Sequence, residues 1–255
     1  MPGRANAASQ VGGLSSGVPG EPAGVEALVR RFGKLDLARV TAPAIALAQR
    51  GVAVSAPLAR MAGGFGDQMR RDRVMRTWFE GGGMEEGATL RRPALLRALQ
   101  AFARRGARGL YEGRIGAQIV RENRAAGGIF TAADLRDYTV VDRTPLEANH
   151  FGLRWVTAPP PSAGGFTMLQ SLAILERLPA RWRPMQDAHL QTETHARLLH
   201  AMAESWKGPF QDRQRYFGDP DHVTLPLAQM MQDDRLDARA RAFHPGLAMP
   251  PSDYD

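Results

Sequence analysis

The chain has 255 residues, 44% of them hydrophobic and 23% charged, which is enough length to bury a core and an ordinary balance for a globular protein. It contains no cysteine, which excludes disulfides, a thiolate metal site and a cysteine nucleophile. The net charge of +7 rests on arginines, with Lys34 and Lys207 the only lysines, and these are spread in pairs such as Arg30-Arg31, Arg70-Arg71 and Arg104-Arg105. A nucleic-acid face concentrates its charge on one element, so no nucleic-acid partner is expected. No apolar run approaches the ~20 residues that span a bilayer. Met1 to Gly20 lacks an apolar core segment, so no signal peptide is read there.

Residues 1–20 are rich in Gly, Ser and Ala and predict disorder or extended chain. Glu21–Phe32 predicts a helix with Val25, Leu28, Val29 and Phe32 on an inward stripe, stopped by Gly33. Thr41 is expected to cap a short helix with Pro43 in its first turn and Gly51 past its end, and Ser55 with Pro57 repeats the design. Gly63–Thr89, centred on Gly81-Gly82-Gly83, reads as a surface excursion. Pro93–Arg105 predicts an amphipathic helix with Leu95, Leu96, Leu99 and Phe102 inward, and Tyr111–Ala126 another that closes at Gly127-Gly128. Thr131 and Asp134 have the spacing of a capping box.

The period then changes. Pro145–His150 and Leu153–Thr157 predict a strand pair around Phe151-Gly152. Pro159–Gly165 is a rigid turn into a helix over Phe166–Leu178, and a longer helix is expected over Thr194–Gln211. Gly218-Asp219-Pro220-Asp221 is a turn whose aspartates are expected to accept backbone N–H groups. After Phe243 the chain is expected to fray.

Candidate chemistry is sparse. Ser162 stands between a strand and a helix, but without the Gly-x-Ser-x-Gly pattern, and reads as a helix-capping hydroxyl. His195 and His200 are five apart and do not share a helical face; His200 and Glu204 are four apart and do, as a hydrogen-bonded or solvated pair too small for a zinc site. No glycine cluster has a phosphate-binding pattern, and neither Asp219 nor Asp221 has an evident base as partner.

Several segments in order resemble the gamma-glutamyltransferase (gamma-glutamyltranspeptidase) family. They are Val18-Pro19-Gly20 with Ala23-Gly24-Val25-Glu26 and Arg31-Phe32-Gly33, then Ala42–Ala48 with Gly51 and Val54-Ser55. Tyr111-Glu112-Gly113 and Gly127–Thr131 follow, with Asp134-Leu135 and Tyr138. Pro159–Gly165 is similar to the family's Pro-Pro-Pro-Ser-Ser-Gly-Gly with Ala163 for the second Ser, and Asp212-Arg213 with Tyr216–Asp221 resembles its Asp-Arg…Tyr-Leu-Gly-Asp-Pro-Asp. The likeness runs from about residue 17 to about 240.

The resemblance implies an α/β fold of α+β layers, a partial αββα fold of the N-terminal-nucleophile hydrolases, present as a helix-rich fragment. It implies a non-family N-terminus over 1–17, a large-subunit-like domain over 18–243 and a flexible tail over 244–255. In the family, the new N-terminal Thr of a small subunit is nucleophile and its own amine the base. The enzyme passes the gamma-glutamyl group of glutathione-like amides to water, amino acids or peptides. That Thr is expected to be absent here, since Thr194-His195 lies inside a helix and does not substitute for it. The family's substrate-carboxylate arginine is likewise expected to be missing before Val18. No catalytic, cofactor-binding or metal residue is therefore carried over, and no cofactor is expected. The implied partner is the small subunit with its Thr, and the implied compartment periplasmic or extracellular. The alternatives are a non-catalytic scaffold that pairs with a separate small subunit, and an acylase of the same superfamily. A partial sandwich is expected to leave strand edges unpaired and apolar helix faces exposed, and to be poorly stable alone.

Overall fold

The computed structural model describes residues 11–80, 83–182, 192–250 and Tyr254, with the backbone alone of Gln68, Val74 and 192–195. The chain divides between Val141 and Asp142 into two compact units. No helix among the described residues is long and apolar enough to cross a membrane.

In the first unit, helix α1 (Glu21–Phe32) has the predicted bounds, with Pro22 in its first turn. Its apolar stripe is only partly inward: Val25 and Val29 are half-buried, while Leu28 and Phe32 are 60% and 76% exposed. Helix α2 (Leu37–Arg50) begins before the predicted cap. Asp36 accepts the Arg39 N–H at 2.7 Å, and Thr41 sits inside the helix with its hydroxyl donating to the Leu37 carbonyl at 2.6 Å. Asp is as good a cap as Thr, and one turn earlier it gains one more turn of helix. Gly51 ends α2 at a φ of 86°, a conformation that favours glycine.

Strands β1 (Val52–Ala53) and β2 (Thr89–Leu90) pair antiparallel. Between them the expected surface excursion is partly helical, as α3 (Ala56–Met69) and α4 (Arg73–Arg76). Ser55 starts α3 as predicted, its Oγ accepting the Leu58 N–H at 3.5 Å. The glycines within α3 cost about 1 kcal/mol each, which its Ala, Leu, Met and Phe residues offset. Gly81 and Gly82 lie outside the described residues.

Helix α5 (Pro93–Arg105) has its predicted bounds and packs on α2; Phe102 is buried, but Leu95 lies exposed at the margin. The helix predicted over Tyr111–Ala126 is two, α6 (Arg108–Tyr111) and α7 (Gly113–Ala125), because Gly113 takes a φ of 62°. Helix α8 (Ala132–Arg136) opens with the predicted capping box, Thr131 and Asp134 each accepting the other's backbone N–H.

The core of this unit is Ala107, Tyr111 and Leu135, with Val18 and Ile119 against it. Three polar side chains tie loops to that core. Glu26 accepts the Ala107 N–H at 2.7 Å, and the Tyr111 hydroxyl donates to the Pro19 carbonyl at 2.6 Å. Asn123, itself buried, donates to the Gly13 carbonyl at 2.9 Å and accepts the Phe130 N–H at 3.0 Å.

The second unit opens with the predicted hairpin, β3 (Leu146–His150) and β4 (Leu153–Thr157), paired from His150–Leu153 to Leu146–Thr157. Phe151 and Gly152 turn it at φ values of 54° and 73°, the two left-handed residues that such a two-residue turn requires. Glu176 holds the turn, taking the His150 Nδ1–H and the Phe151 N–H, each at 2.9 Å. Helix α9 (Ala163–Arg177), which contains Glu176, starts three residues before its predicted position, so Gly164 and Gly165 lie inside it. Phe166, Leu169, Ala173, Ile174 and Leu175 bury it on most sides.

Helix α10 (Thr192–Tyr216) runs past its predicted end and packs along α9, as does α12 (Asp233–Arg241), which follows the short α11 (Leu227–Met230). Leu175, Leu178, Trp182 and Ala201 form the core there, with Phe243 against them. The architecture is helix-rich, and both sheets are two-stranded among the described residues. Leu153 and Val156 on the hairpin stay exposed.

The Asn123 clamp predicts its own test. Asn123→Ala leaves the buried Phe130 N–H without its partner, at ~1–3 kcal/mol, and takes one of two donors from the Gly13 carbonyl, which keeps the Ser16 N–H. Chemical denaturation is expected to show a loss of about 2–4 kcal/mol, whereas Arg121→Ala on the same helix leaves stability unchanged.

Candidate functional site

Two of the segments singled out in the sequence meet in the second unit. The turn Pro161-Ser162 and the first turn of α9 face the outer side of α10 across an open cleft of about 810 Å³. Trp206, Phe210 and Phe217 supply its apolar wall, and Arg213 and Gln214 its polar edge. The Arg213 guanidinium lies over the Phe210 ring, 5.7 Å from its centre, and the Phe166 and Phe217 rings pack 5.5 Å apart.

Ser162 occupies the N-cap position expected of it, but its hydroxyl makes no capping hydrogen bond, which corrects that part of the reading. Its ψ of 113° is extended chain, and its side chain is exposed at the cleft. Among the described residues that line the cleft there is no histidine or carboxylate beside this hydroxyl.

Asp212 points to a different side of the helix from Arg213, since neighbours on a helix are about 100° apart. It is 1% exposed. The Arg239 guanidinium gives it two hydrogen bonds, both of 2.8 Å. Arg235 gives a third at 2.6 Å, and the Gln170 amide a fourth at 2.8 Å. α9, α10 and α12 thus meet at this one carboxylate, and Gln170 ties α11 to it by also donating to the Met230 carbonyl at 2.8 Å. Burial alone raises the Asp212 pKa, but the donors from Arg239, Gln170 and Arg235 outweigh it and hold the carboxyl below its usual range. Arg235 and Arg239 had no mark in the sequence. The one available hint was their spacing of four on a helix, which puts both on one face.

His200 and Glu204 share a helix face as expected but do not bond to each other. His200 Nε2 donates to the His244 carbonyl at 2.9 Å. Glu204 is buried and accepts from Lys207 Nζ at 2.6 Å and the Tyr254 hydroxyl at 2.5 Å. Among the described residues no group of three potential ligands can hold a metal ion. Thr194 and His195 fall within α10, and their side chains lie outside the described residues.

The Asp-Pro turn forms as predicted at Asp219, whose carboxylate accepts the Asp221 N–H at 3.0 Å. Asp221 differs from expectation: it binds the Arg143 guanidinium at 2.5 and 3.2 Å. This arginine keeps the Asp221 carboxyl below its usual range.

Residues 2–255 match the family model described as Gamma-glutamyltranspeptidase. The chain belongs to the gamma-glutamyltranspeptidase family. Its curated relatives include the glutathione hydrolase proenzyme of Escherichia coli (strain K12), 33% identical over 84% of this chain and 36% of the relative. They also include the Acylase ACY 1 proenzyme of Pseudomonas sp. (strain V22), 31% identical over 90% of this chain and 40% of the relative. The crystal structure of Helicobacter pylori gamma-glutamyltranspeptidase superposes with a TM-score of 0.79 at 27% identity, over 96% of this chain and 68% of that one. The helix-rich, partial N-terminal-nucleophile hydrolase fold implied by the resemblance is therefore the fold observed. The chain spans roughly two fifths of the length of these curated proenzymes.

The Asp212 centre yields a prediction in two parts. Asp212→Asn strands two guanidinium groups, and urea denaturation at neutral pH is expected to show a loss of about 3–5 kcal/mol. The folded Asp212 pKa is depressed, so its contribution is present above the unfolded carboxyl value of ~3.9 and lost as pH falls through the folded value. The gap between wild type and variant should accordingly shrink in acid.

Proposed function

We propose that this chain is the large-subunit part of a gamma-glutamyl-transferring amidase whose nucleophile comes from another segment. The observation that carries the reading is the use made of the family-like residues: they hold the scaffold together. Tyr111 binds the carbonyl of Pro19, and Gly20 leaves room for the Tyr138 hydroxyl, which a Cβ there would meet at 2.0 Å. Gly165 lets α9 approach the Ala158 carbonyl, and Asp212 joins α10 to α9 and α12. Ser162, the exposed hydroxyl at the cleft, has no histidine or carboxylate beside it among the described residues.

In the proposed reaction, an N-terminal Thr hydroxyl attacks the gamma-carbonyl of a glutathione-like amide while its α-amine takes the proton. Backbone N–H groups stabilise the oxyanion, the leaving amine departs with the proton, and water or an acceptor amine then releases the acyl group from the Thr ester. The name glutathione hydrolase on the Escherichia coli relative supports this substrate class, and the proenzyme lengths support a second subunit. An exported, periplasmic or cell-surface setting belongs to the same reading. The 31% identity to an acylase proenzyme favours acyl amides such as glutaryl groups as the second reading.

The test is an amidase assay on gamma-glutamyl and glutaryl anilides. The chain alone is expected to release no aniline above background, and the chain produced together with a candidate small subunit that begins with Thr is expected to release it from the gamma-glutamyl substrate. Release by the chain alone would overturn the reading. Release from the glutaryl substrate alone would move it to the acylases.

A further inference from the structure

Past Phe243, the described residues turn back along α10. His200 Nε2 donates to the His244 carbonyl at 2.9 Å, and Lys207 Nζ donates to the Met249 carbonyl. The Met249 N–H donates to Glu204 Oε2 at 3.3 Å. Tyr254 adds a second anchor: its hydroxyl donates to the same Oε2 at 2.5 Å, and its carbonyl accepts from Arg239 Nε at 2.9 Å. Between His244 and Pro250 only Met249 is half-buried, and the other residues are exposed. The hold on this segment is therefore polar, and it converges on one carboxylate that is 2% exposed.

We propose that residues 244–250 form a releasable strap on α10, latched by the Glu204 carboxylate with Lys207 and Tyr254, and opened by acid. As a carboxylate, Glu204 accepts from three donors at once. Protonation converts one oxygen into a donor, so Lys207, the Met249 N–H and the Tyr254 hydroxyl are no longer all satisfied. Lys207, half-buried, also loses its counter-charge.

The ionisable groups around Glu204 leave it as the switch. Lys207 is on its own helix and Tyr254 comes from the C-terminal segment. Arg239 on α12 reaches the Tyr254 carbonyl but spends its charge on Asp212. On α9, Glu176 is turned to His150 and Arg177 to Asp233 and Asp237. His200 donates through Nε2 to a carbonyl, a bond that the neutral and protonated rings both make. Burial raises the Glu204 pKa, but the donors from Lys207, Tyr254 and Met249 outweigh it and set it below the usual range. The latch is thus complete above the unfolded value of ~4.3 and is lost as pH falls through the folded one.

Hydrogen exchange on the full chain tests this, read as protection of the strap amides relative to those of α9. Glu204→Gln is expected to loosen the strap ~10-fold at neutral pH with α9 unchanged, and the wild type is expected to loosen in the same way in acid, as pH falls below the ordinary carboxyl range. Strap protection that is unchanged by both treatments overturns the proposal, as does loss shared equally with α9. If Glu204→Gln fails to fold, Tyr254→Phe removes a single hydroxyl from the latch: selective loosening of the strap supports the proposal, and unchanged protection overturns it.

Discussion

A single buried carboxylate organises the second unit. Asp212 is taken out of water, which on its own is unfavourable by several kcal/mol, and the structure answers with donors from three other helical positions. Gln170 brings in α9, while Arg235 and Arg239 bring in α12. Gly208 leaves room for that approach, because a Cβ there would lie 2.8 Å from Arg239 Nε. With α10 fixed against α9 by this centre, the remaining features take their places. The cleft beside Ser162 has its aromatic wall on the opposite face of α10, and Glu204 is presented toward the segment after Phe243.

The first unit is assembled by a different device. Its buried core is small, and polar side chains bind loops to it through their backbone groups. Glu26, Tyr111 and Asn123 each satisfy a carbonyl or N–H that a loop would otherwise leave unpaired. The glycines near them are placed by close approach. A Cβ on Gly13 would lie 2.3 Å from the Gly128 nitrogen, and one on Gly128 would lie 2.1 Å from Asn123. Exposed apolar residues such as Phe32 and Phe65 remain on this unit, more than isolated surface residues usually require.

Residues that sequence similarity would single out are thus explained here by packing and hydrogen bonding. The Val-Pro-Gly segment meets Tyr111, and Tyr111 packs edge-on against Tyr138 with ring centres 5.9 Å apart. The Asp-Arg pair separates into a buried structural carboxylate and an exposed guanidinium at the cleft.

Local features were readable from the sequence because their causes are local. The Thr131 capping box, the Phe151-Gly152 turn, the bounds of α1 and α5 and the glycine stop at Gly51 each depend on residues within a few positions. The misread boundaries were contests between local signals of similar strength: Asp36 against Thr41 as a cap, and the Gly113 turn against the apolar period around it. Ordered similarity along the chain established the family. What only the tertiary structure decided was which charges pair. Asp212 finds Arg235 and Arg239 instead of its neighbour Arg213, Asp221 finds Arg143, and Glu204 finds Tyr254 instead of His200. Those choices follow from burial and from which helix faces meet, and both arise only once the chain has folded.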